Sequence, residues 1–328
     1  MESRFIKHAG TEFPIICGAM YPCSNPELVA AASRGGGLAI VQPVSMTYVH
    51  GYKLREGIKY IRSITEKPIG FNALIEKGSK KYLNRMSSWI DIAIEEGIKF
   101  FVTSLGKPDW VCQRVHQVSG YVYHDVTNRY WAKKGIDSGV DGLICVNDRA
   151  GGHLGPDSMI KMYNELHDLG LPLICAGGIG SEKELLKAIK IGYEGVQMGT
   201  RFIATHECDT FEDWKRSIVS STEKNIAPTK RLTGVPISVI KSVNYKENNG
   251  WLIEKLLNSR FKHIIRIFLN LKSFFRLKYL SKKNSSIDNK KLYYSAGKSV
   301  QTIHSIESAT VIMRRMGKSL DKYYSNGI

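Results

Sequence analysis

The sequence predicts an α/β protein of the (β/α)8 TIM barrel class with a basic helical C-terminal extension. Three observations carry the prediction. Between Phe13 and Ser221, eight short β-like runs alternate with amphipathic helical stretches, the pattern of consecutive βα units around a parallel sheet. Runs such as Leu38-Ala39-Ile40-Val41 and Leu143-Ile144-Cys145-Val146 are apolar throughout, as strands buried on both faces must be. Eight units within roughly 210 residues fit a closed barrel better than an open doubly wound sheet, and no GxGxxG follows the first strand.

In order along the chain, the predicted strands are Pro14 to Gly18, Leu38 to Val41, Ile69 to Ala73, Phe100 to Leu105, Tyr121 to Val126, Gly142 to Val146, Leu171 to Ala176 and Gly195 to Met198. Helical spacing of apolar residues falls between them, at Pro26 to Arg34, Tyr82 to Glu95, Ser181 to Ile191 and Phe211 to Ser220. After Pro236 the pattern changes. Trp251 to Leu280 reads as a helical stretch with Leu, Ile and Phe among Arg and Lys, Ser281 to Lys291 is polar, and Gly297 to Met316 reads as a further helix. The expected division is a barrel over residues 1–240 and a basic helical segment over 241–328 packed on its outside, lysines solvated and apolar faces buried.

With 328 residues and 43% hydrophobic side chains, the chain can bury a sizeable core, which excludes disordered and fibrous classes. No apolar run reaches the length of about 18 residues that spanning a bilayer requires. Met1 to Gly10 mixes Glu2, Arg4, Lys7 and His8 with no apolar segment behind them, so a cytoplasmic location is expected. The six cysteines form no CxxC pair, and runs such as Leu173-Ile174-Cys175-Ala176 make them reduced core thiols; no metal site is expected. The net charge of +17 is uneven: Lys241 to Lys291 holds thirteen Lys or Arg against Glu247, Glu254 and Asp288, or +10 of the total.

In a barrel of this kind, chemistry belongs where strands end. The seventh strand runs into Ala176-Gly177-Gly178-Ile179-Gly180-Ser181 and the eighth into Gln197-Met198-Gly199-Thr200-Arg201, two adjacent small-residue loops suited to an oxyanion such as a phosphate. Either loop alone could equally be a tight turn. The sixth strand ends in Asn147-Asp148-Arg149-Ala150-Gly151-Gly152-His153, where an imidazole among glycines can take or supply a proton near neutral pH. Asn72, ending the third strand, offers an amide to the polar edge of a heterocycle. His124 and Asp125, ending the fifth, either face the site, with His124 in the substrate pocket, or make a satisfied core contact.

The combination Ala150-Gly-Gly-His153, Ala176-Gly-Gly-Ile179 and Gln197-Met-Gly-Thr-Arg-Phe202, opened by Pro14-Ile-Ile-Cys-Gly-Ala-Met20, resembles the nitronate monooxygenases, formerly 2-nitropropane dioxygenases, and their relatives the FMN-dependent enoyl-acyl-carrier-protein reductases. The resemblance runs from about Phe5 to Ile240 and resumes near Ser295 to Arg315. It implies FMN at the C-terminal face of the barrel, contacted by Met20, Asn72, Gly151, Gly177, Gly178, Gln197, Met198, Gly199 and Thr200, with His153 as the catalytic residue beside the isoalloxazine ring. The implied partners are a nitronate or nitroalkane and O2. Two positions depart from the family: Arg149 stands where Glu is common, and Val146 where Gln is common.

The leading expectation is therefore oxidation of an alkyl nitronate by O2 to a carbonyl compound and nitrite. The alternative within flavoenzymes is an NAD(P)H-dependent enoyl-thioester reductase, which His153 does not distinguish. A reading from another class is a non-enzymatic module whose basic segment engages RNA or, through residues 251–283, an anionic membrane surface. No aromatic-glycine RNA motif or zinc spacing supports specific nucleic-acid binding, and that reading leaves the barrel loops unexplained.

Overall fold

Eight parallel strands follow one another in chain order and close into a barrel, β8 pairing back onto β1 with Ile16 opposite Gln197. They are β1 (Ile15–Cys17), β2 (Leu38–Val41), β3 (Ile69–Leu74), β4 (Phe100–Ser104), β5 (Tyr121–Val126), β6 (Gly142–Val146), β7 (Leu173–Ala176) and β8 (Gly195–Met198). The computed structural model describes residues 3–75, 80–230, 235–241, 265, 269 and 294–325. β7 starts later than expected because Pro172 has no N–H for a ladder; its carbonyl instead accepts from Leu143 N–H (2.9 Å).

The helices are α1 (Arg4–Ala9), α2 (Pro26–Arg34), α3 (Leu54–Ile64), α4 (Lys80–Glu95), α5 (Asp109–His116), α6 (Arg129–Ile136), α7 (Met159–Leu166), α8 (Glu182–Ile191), α9 (Thr200–Ile203), α10 (Glu212–Ser220) and α11 (Ala309–Ser325). Their starts follow from local chemistry. Asn128 accepts from Trp131 N–H (3.1 Å) to open α6, Ser158 from Lys161 N–H (3.3 Å) to open α7, and Ser181 with Glu184 forms a capping box at α8. A hairpin of β9 (Ile226–Thr229) and β10 (Ile237–Ile240) follows α10.

Strand alternation sorts the core into two sets. Cys17, Val41, Phe71, Phe101, Val122, Cys145, Cys175 and Val196 point outward and pack under the helices. Ile16, Ile40, Val102, Tyr123, Ile144 and Ile174 fill the barrel itself, where α1 adds Phe5, whose ring meets that of Phe100 edge-on at 5.7 Å. All six cysteines are buried and unpaired, and burial raises the thiols of Cys17, Cys112, Cys145 and Cys175.

The helix expected over Gly297 to Met316 is broken. A 3-10 turn covers Lys298–Thr302, and α11 begins only at Ala309. Long-range partners hold the intervening chain open: Arg201 donates to Ser305 O (2.7 Å), and Glu207 accepts from Ser308 Oγ (2.6 Å) and Ala309 N–H (2.9 Å), capping α11. α11 lies against α2 and α8. Gly35 makes room for it, since a Cβ there would stand 2.5 Å from that of Met313. The basic stretch expected to be helical over Trp251 to Leu280, and the membrane-contact reading of 251–283, lie outside the described residues apart from isolated positions 265 and 269. Among the described residues no helix is long and apolar enough to cross a membrane.

Candidate active site

The same alternation that fills the barrel dictates what lines its C-terminal mouth. Inward-facing positions toward this end include Asn72 on β3, Ser104 on β4, Asp125 on β5, Val146 on β6, Ala176 on β7 and Gln197 on β8, with Gly18 and Gln42 just beyond β1 and β2. The floor beneath is apolar and the rim largely polar. Gln197 lies against Gly18, where an added Cβ would come within 3.0 Å of its Cγ. Gln42 accepts from Ser45 N–H (2.6 Å), and Asn72 is buried.

The loops after β6, β7 and β8 meet on one side of this mouth. Asn147, fully buried, donates through Nδ2 to Gly177 O (3.0 Å), while its Oδ1 accepts from Arg149 N–H (2.8 Å). One side chain thereby sets the β6 loop against the β7 loop. Gly177 and Gly178 have φ values of 120° and 79°, which L side chains rarely adopt, and both are closely covered: a Cβ on Gly177 would stand 2.3 Å from Asn147 Oδ1, and one on Gly178 2.8 Å from Arg149 Nε. Gly151 abuts the β8 loop, a Cβ there falling 2.7 Å from Thr200 Oγ1. Arg149 reaches onward to Glu223 (2.7 Å), so its side chain covers Gly178 and pairs with an acid beyond it.

A segment far along the chain closes this cluster. Gly297 N–H donates to Thr200 Oγ1 (2.9 Å) and Lys298 N–H to Arg149 O (3.0 Å). On its other flank, Ser238 N–H from β10 donates to Gly152 O (3.1 Å), and His153 bridges Ile237. The glycine-histidine loop is thus held by backbone bonds between the hairpin and the returning C-terminal chain. The His153 ring itself is exposed, yet surrounding protein strips enough water from it to lower its pKa below the usual imidazole value. No countercharge offsets this, so at neutral pH it is a free base.

The structure therefore brings Met20, Asn72, Gly151, Gly177, Gly178, Gln197, Gly199, Thr200 and His153 to one end of the barrel. Met20 lies within 3.5 Å of where a Gly199 Cβ would sit. Two expected residues are turned away. Met198 packs outward beneath the helices, its carbonyl accepting from Gly18 N–H (3.0 Å). His124 also faces outward, against Gly135 of α6, with Nδ1 2.9 Å from Thr103 Oγ1; burial lowers its pKa to about 4. The placement of His124 in the substrate pocket is corrected accordingly: one residue of strand phase separates it from Asp125, which does face in.

Asp125 is half-buried, its Oδ1 has no hydrogen-bond partner among the described residues, and burial alone raises its carboxyl to about 7. Asn147 and Gly297 are the other contributors that motif reading left unassigned. Arg201, inside the Gln197–Phe202 motif, is instead structural: it is buried and donates to Ala204 O (2.8 Å) and Ser305 O (2.7 Å). Among the described residues no group of three or more His, Cys, Asp or Glu is placed to hold a metal ion.

The chain is similar to known proteins in sequence and in fold. A family model described as nitronate monooxygenase matches residues 2–317. A (3aS,4S,5R,7aS)-5-hydroxy-7a-methyl-1-oxo-octahydro-1H-indene-4-carboxyl-CoA dehydrogenase of Rhodococcus jostii is 26% identical over 244 residues, covering 74% of this chain and 67% of that protein. A probable nitronate monooxygenase of Staphylococcus aureus is 25% identical over 276 residues, covering 71% and 76%. Among solved structures, FabK from Thermotoga maritima superposes with a TM-score of 0.78 over 99% of this chain and 98% of its own, at 23% identity, a likeness of fold.

Proposed function

Since the chain belongs to the nitronate monooxygenase family, a group of oxidoreductases, we propose that it is an FMN-dependent enzyme that oxidises alkyl nitronates with O2 to a carbonyl compound and nitrite, using His153 as its base. The observation that carries this reading is the junction of the β6, β7 and β8 loops. Three glycines, Gly151, Gly177 and Gly178, let these loops approach one another more closely than any side chain would allow, and the first of the loops bears the imidazole.

The residues fit a flavin mononucleotide. Gly178, Gly199 and Thr200 would hold the phosphate at a loop pair of the kind such barrels use for it. Asn72 and Gln197 would offer amides to the ring, whose polar edge both donates and accepts. The cofactor, when bound, supplies the electron-transfer chemistry.

The protein's share is positional and acid–base. Offered a neutral nitroalkane, His153 removes the proton alpha to the nitro group, a general-base contribution of about 10²- to 10⁴-fold. Offered a nitronate, whose charge is already formed, the same ring only orients the anion. The apolar Val146 and Ala176 leave the adjoining wall suited to an alkyl group.

The test is an absorbance spectrum of the purified protein, identification of any released chromophore by mass, and nitrite release from an alkyl nitronate. Under this reading the protein is yellow and His153→Asn loses turnover of neutral nitroalkane while keeping its colour. Colourless protein that takes up no FMN rejects it. A second reading, reduction of an enoyl thioester with NAD(P)H, gains weight from the relative named a carboxyl-CoA dehydrogenase. Anaerobic mixing separates the two: flavin bleaching by NADPH favours the reductase, bleaching by nitronate alone the monooxygenase.

A further inference from the structure

We propose that Asp125 is the hydrogen-bond partner that β5 contributes to the heterocyclic ring of the bound flavin, engaging it as the neutral acid. The inference rests on the flavin reading above and extends it to a residue that reading does not use.

Three features of the site point this way. Asp125 is the last inward-facing residue of β5, so strand phase turns its side chain to the barrel interior at the mouth end and not to the helix layer. Its Oδ1 is buried with no hydrogen-bond partner among the described residues, and a polar atom in that state costs stability unless something supplies the missing bond. The glycine loops that suit a phosphate follow β7 and β8, while Asn72 stands across the mouth on β3. A planar ring anchored at the loops and reaching across the closed barrel toward Asn72 has β1 and β2 on one flank and β4, β5 and β6 on the other, and of these strands β5 brings the unpaired carboxyl group.

The electrostatics of that sector leave the carboxyl group to titrate by itself. β4 (Phe100–Ser104) has no ionisable residue, and on β6 the one ionisable group is Cys145, which faces outward with its thiol pushed well up. α5 and α6 carry Asp109, Arg114, His116, Arg129, Lys133 and Lys134, but they pack on the outer side of β5, where His124 also lies. Within the barrel, Tyr123 is two residues deeper and bonded to His8 (3.0 Å), while His153 is a neutral ring on the β6 loop. Burial is the single cause that raises the acid, to about 7, so below neutrality it carries the proton that a ring oxygen or nitrogen can accept. Above neutrality it becomes an unpaired anion facing an acceptor-rich edge.

FMN affinity should therefore follow the proton. Fluorescence titration of the full chain with FMN should show the dissociation constant rising about tenfold between about pH 6 and about pH 8, while Asp125→Asn, which keeps a donor at every pH, stays flat over that range. The visible spectrum of the bound flavin should shift with pH in the native protein and hold still in the variant. A flat native profile overturns the proposal without any variant being made, as does Asp125→Asn retaining the native pH dependence. Failure of the native protein to bind FMN at any pH would instead remove the flavin reading itself, and this inference with it.

Discussion

Asn147 Nδ2 donates to Gly177 O across 3.0 Å, joining the loop after β6 to the loop after β7 at a point where the asparagine is fully buried. Its Oδ1 simultaneously accepts from Arg149 N–H (2.8 Å), so both ends of one amide are spent on fixing two loops. Asn147→Ala strands a buried carbonyl and a buried N–H. Thermal unfolding should report a loss of about 1–3 kcal/mol, and FMN titration a weaker complex, because the glycines of the β7 loop lose their support. Asn147→Asp, which keeps the acceptor and loses the donor, should fall between the two.

Gly297 tests whether the returning C-terminal chain belongs to the site. A Cβ there would stand 2.6 Å from Arg149 O, and the residue's N–H is the one that engages Thr200 Oγ1. Gly297→Ala should push this segment off the β6 and β8 loops, costing about 1–3 kcal/mol and lowering FMN retention through gel filtration. Gly317→Ala provides the contrast, since its Cβ would meet Phe13 at 2.3 Å in the α11 packing layer. It should lower the melting temperature while bound FMN survives per folded molecule.

These two glycines also mark how far the sequence could be read. The strands β2, β5, β6 and β8 fall at the expected bounds, and β2 and β6 do so as apolar runs, because a strand buried on both faces announces itself in its own residues. The glycine-histidine loop is equally local. What could not be read were phase and distance. His124 and Asp125 are neighbours, and only the register of β5 within the barrel tells which one looks inward. The break in the helix expected over Gly297 to Met316 depends on Arg201 and Glu207, about a hundred residues away, whose bonds to Ser305 and Ser308 outweigh local helix propensity.

Arg201 should behave as part of the frame. Its guanidinium is buried, and lost hydration lowers its pKa to about 10 despite nearby Glu307. Arg201→Met leaves Ala204 O and Ser305 O without their donor, for an expected loss of about 1–3 kcal/mol in chemical denaturation. Because the side chain points toward residues 305–307 and not into the mouth, the KM for nitronate of the folded fraction should be unchanged. A changed KM at native stability would return the arginine to the substrate site.

The pH profile should separate two jobs of His153. Lost hydration lowers its pKa below the usual 6.5, and the base form is the one that accepts a proton, so kcat/KM for a neutral nitroalkane should rise with pH to a plateau, the midpoint of the rise lying below that value. With preformed nitronate the rise should disappear, since no proton is taken. His153→Asn should then lower the nitroalkane rate about 10²- to 10⁴-fold and the nitronate rate far less. Equal losses with both substrates would make the ring an anion clamp and not a base.

Asp125 carries a signature in the stability of the cofactor-free protein. Its carboxyl rises from 3.8 to about 7 on folding, so between those values the folded chain holds a proton that the unfolded chain has released. Binding more protons in the folded state makes stability fall as pH rises through this window, and the loss is complete above about pH 7. One pKa unit corresponds to about 1.4 kcal/mol, and partial solvent access at this half-buried group reduces the full shift to an expected about 1–3 kcal/mol. Asp125→Asn has no proton to lose. The variant should match the native protein near pH 4 and exceed it near pH 8, so that melting temperatures recorded across the window diverge steadily. Parallel curves would mean that water reaches the carboxylate freely in the folded protein, and the hydrogen bond assigned to it would have to come from another residue of the rim.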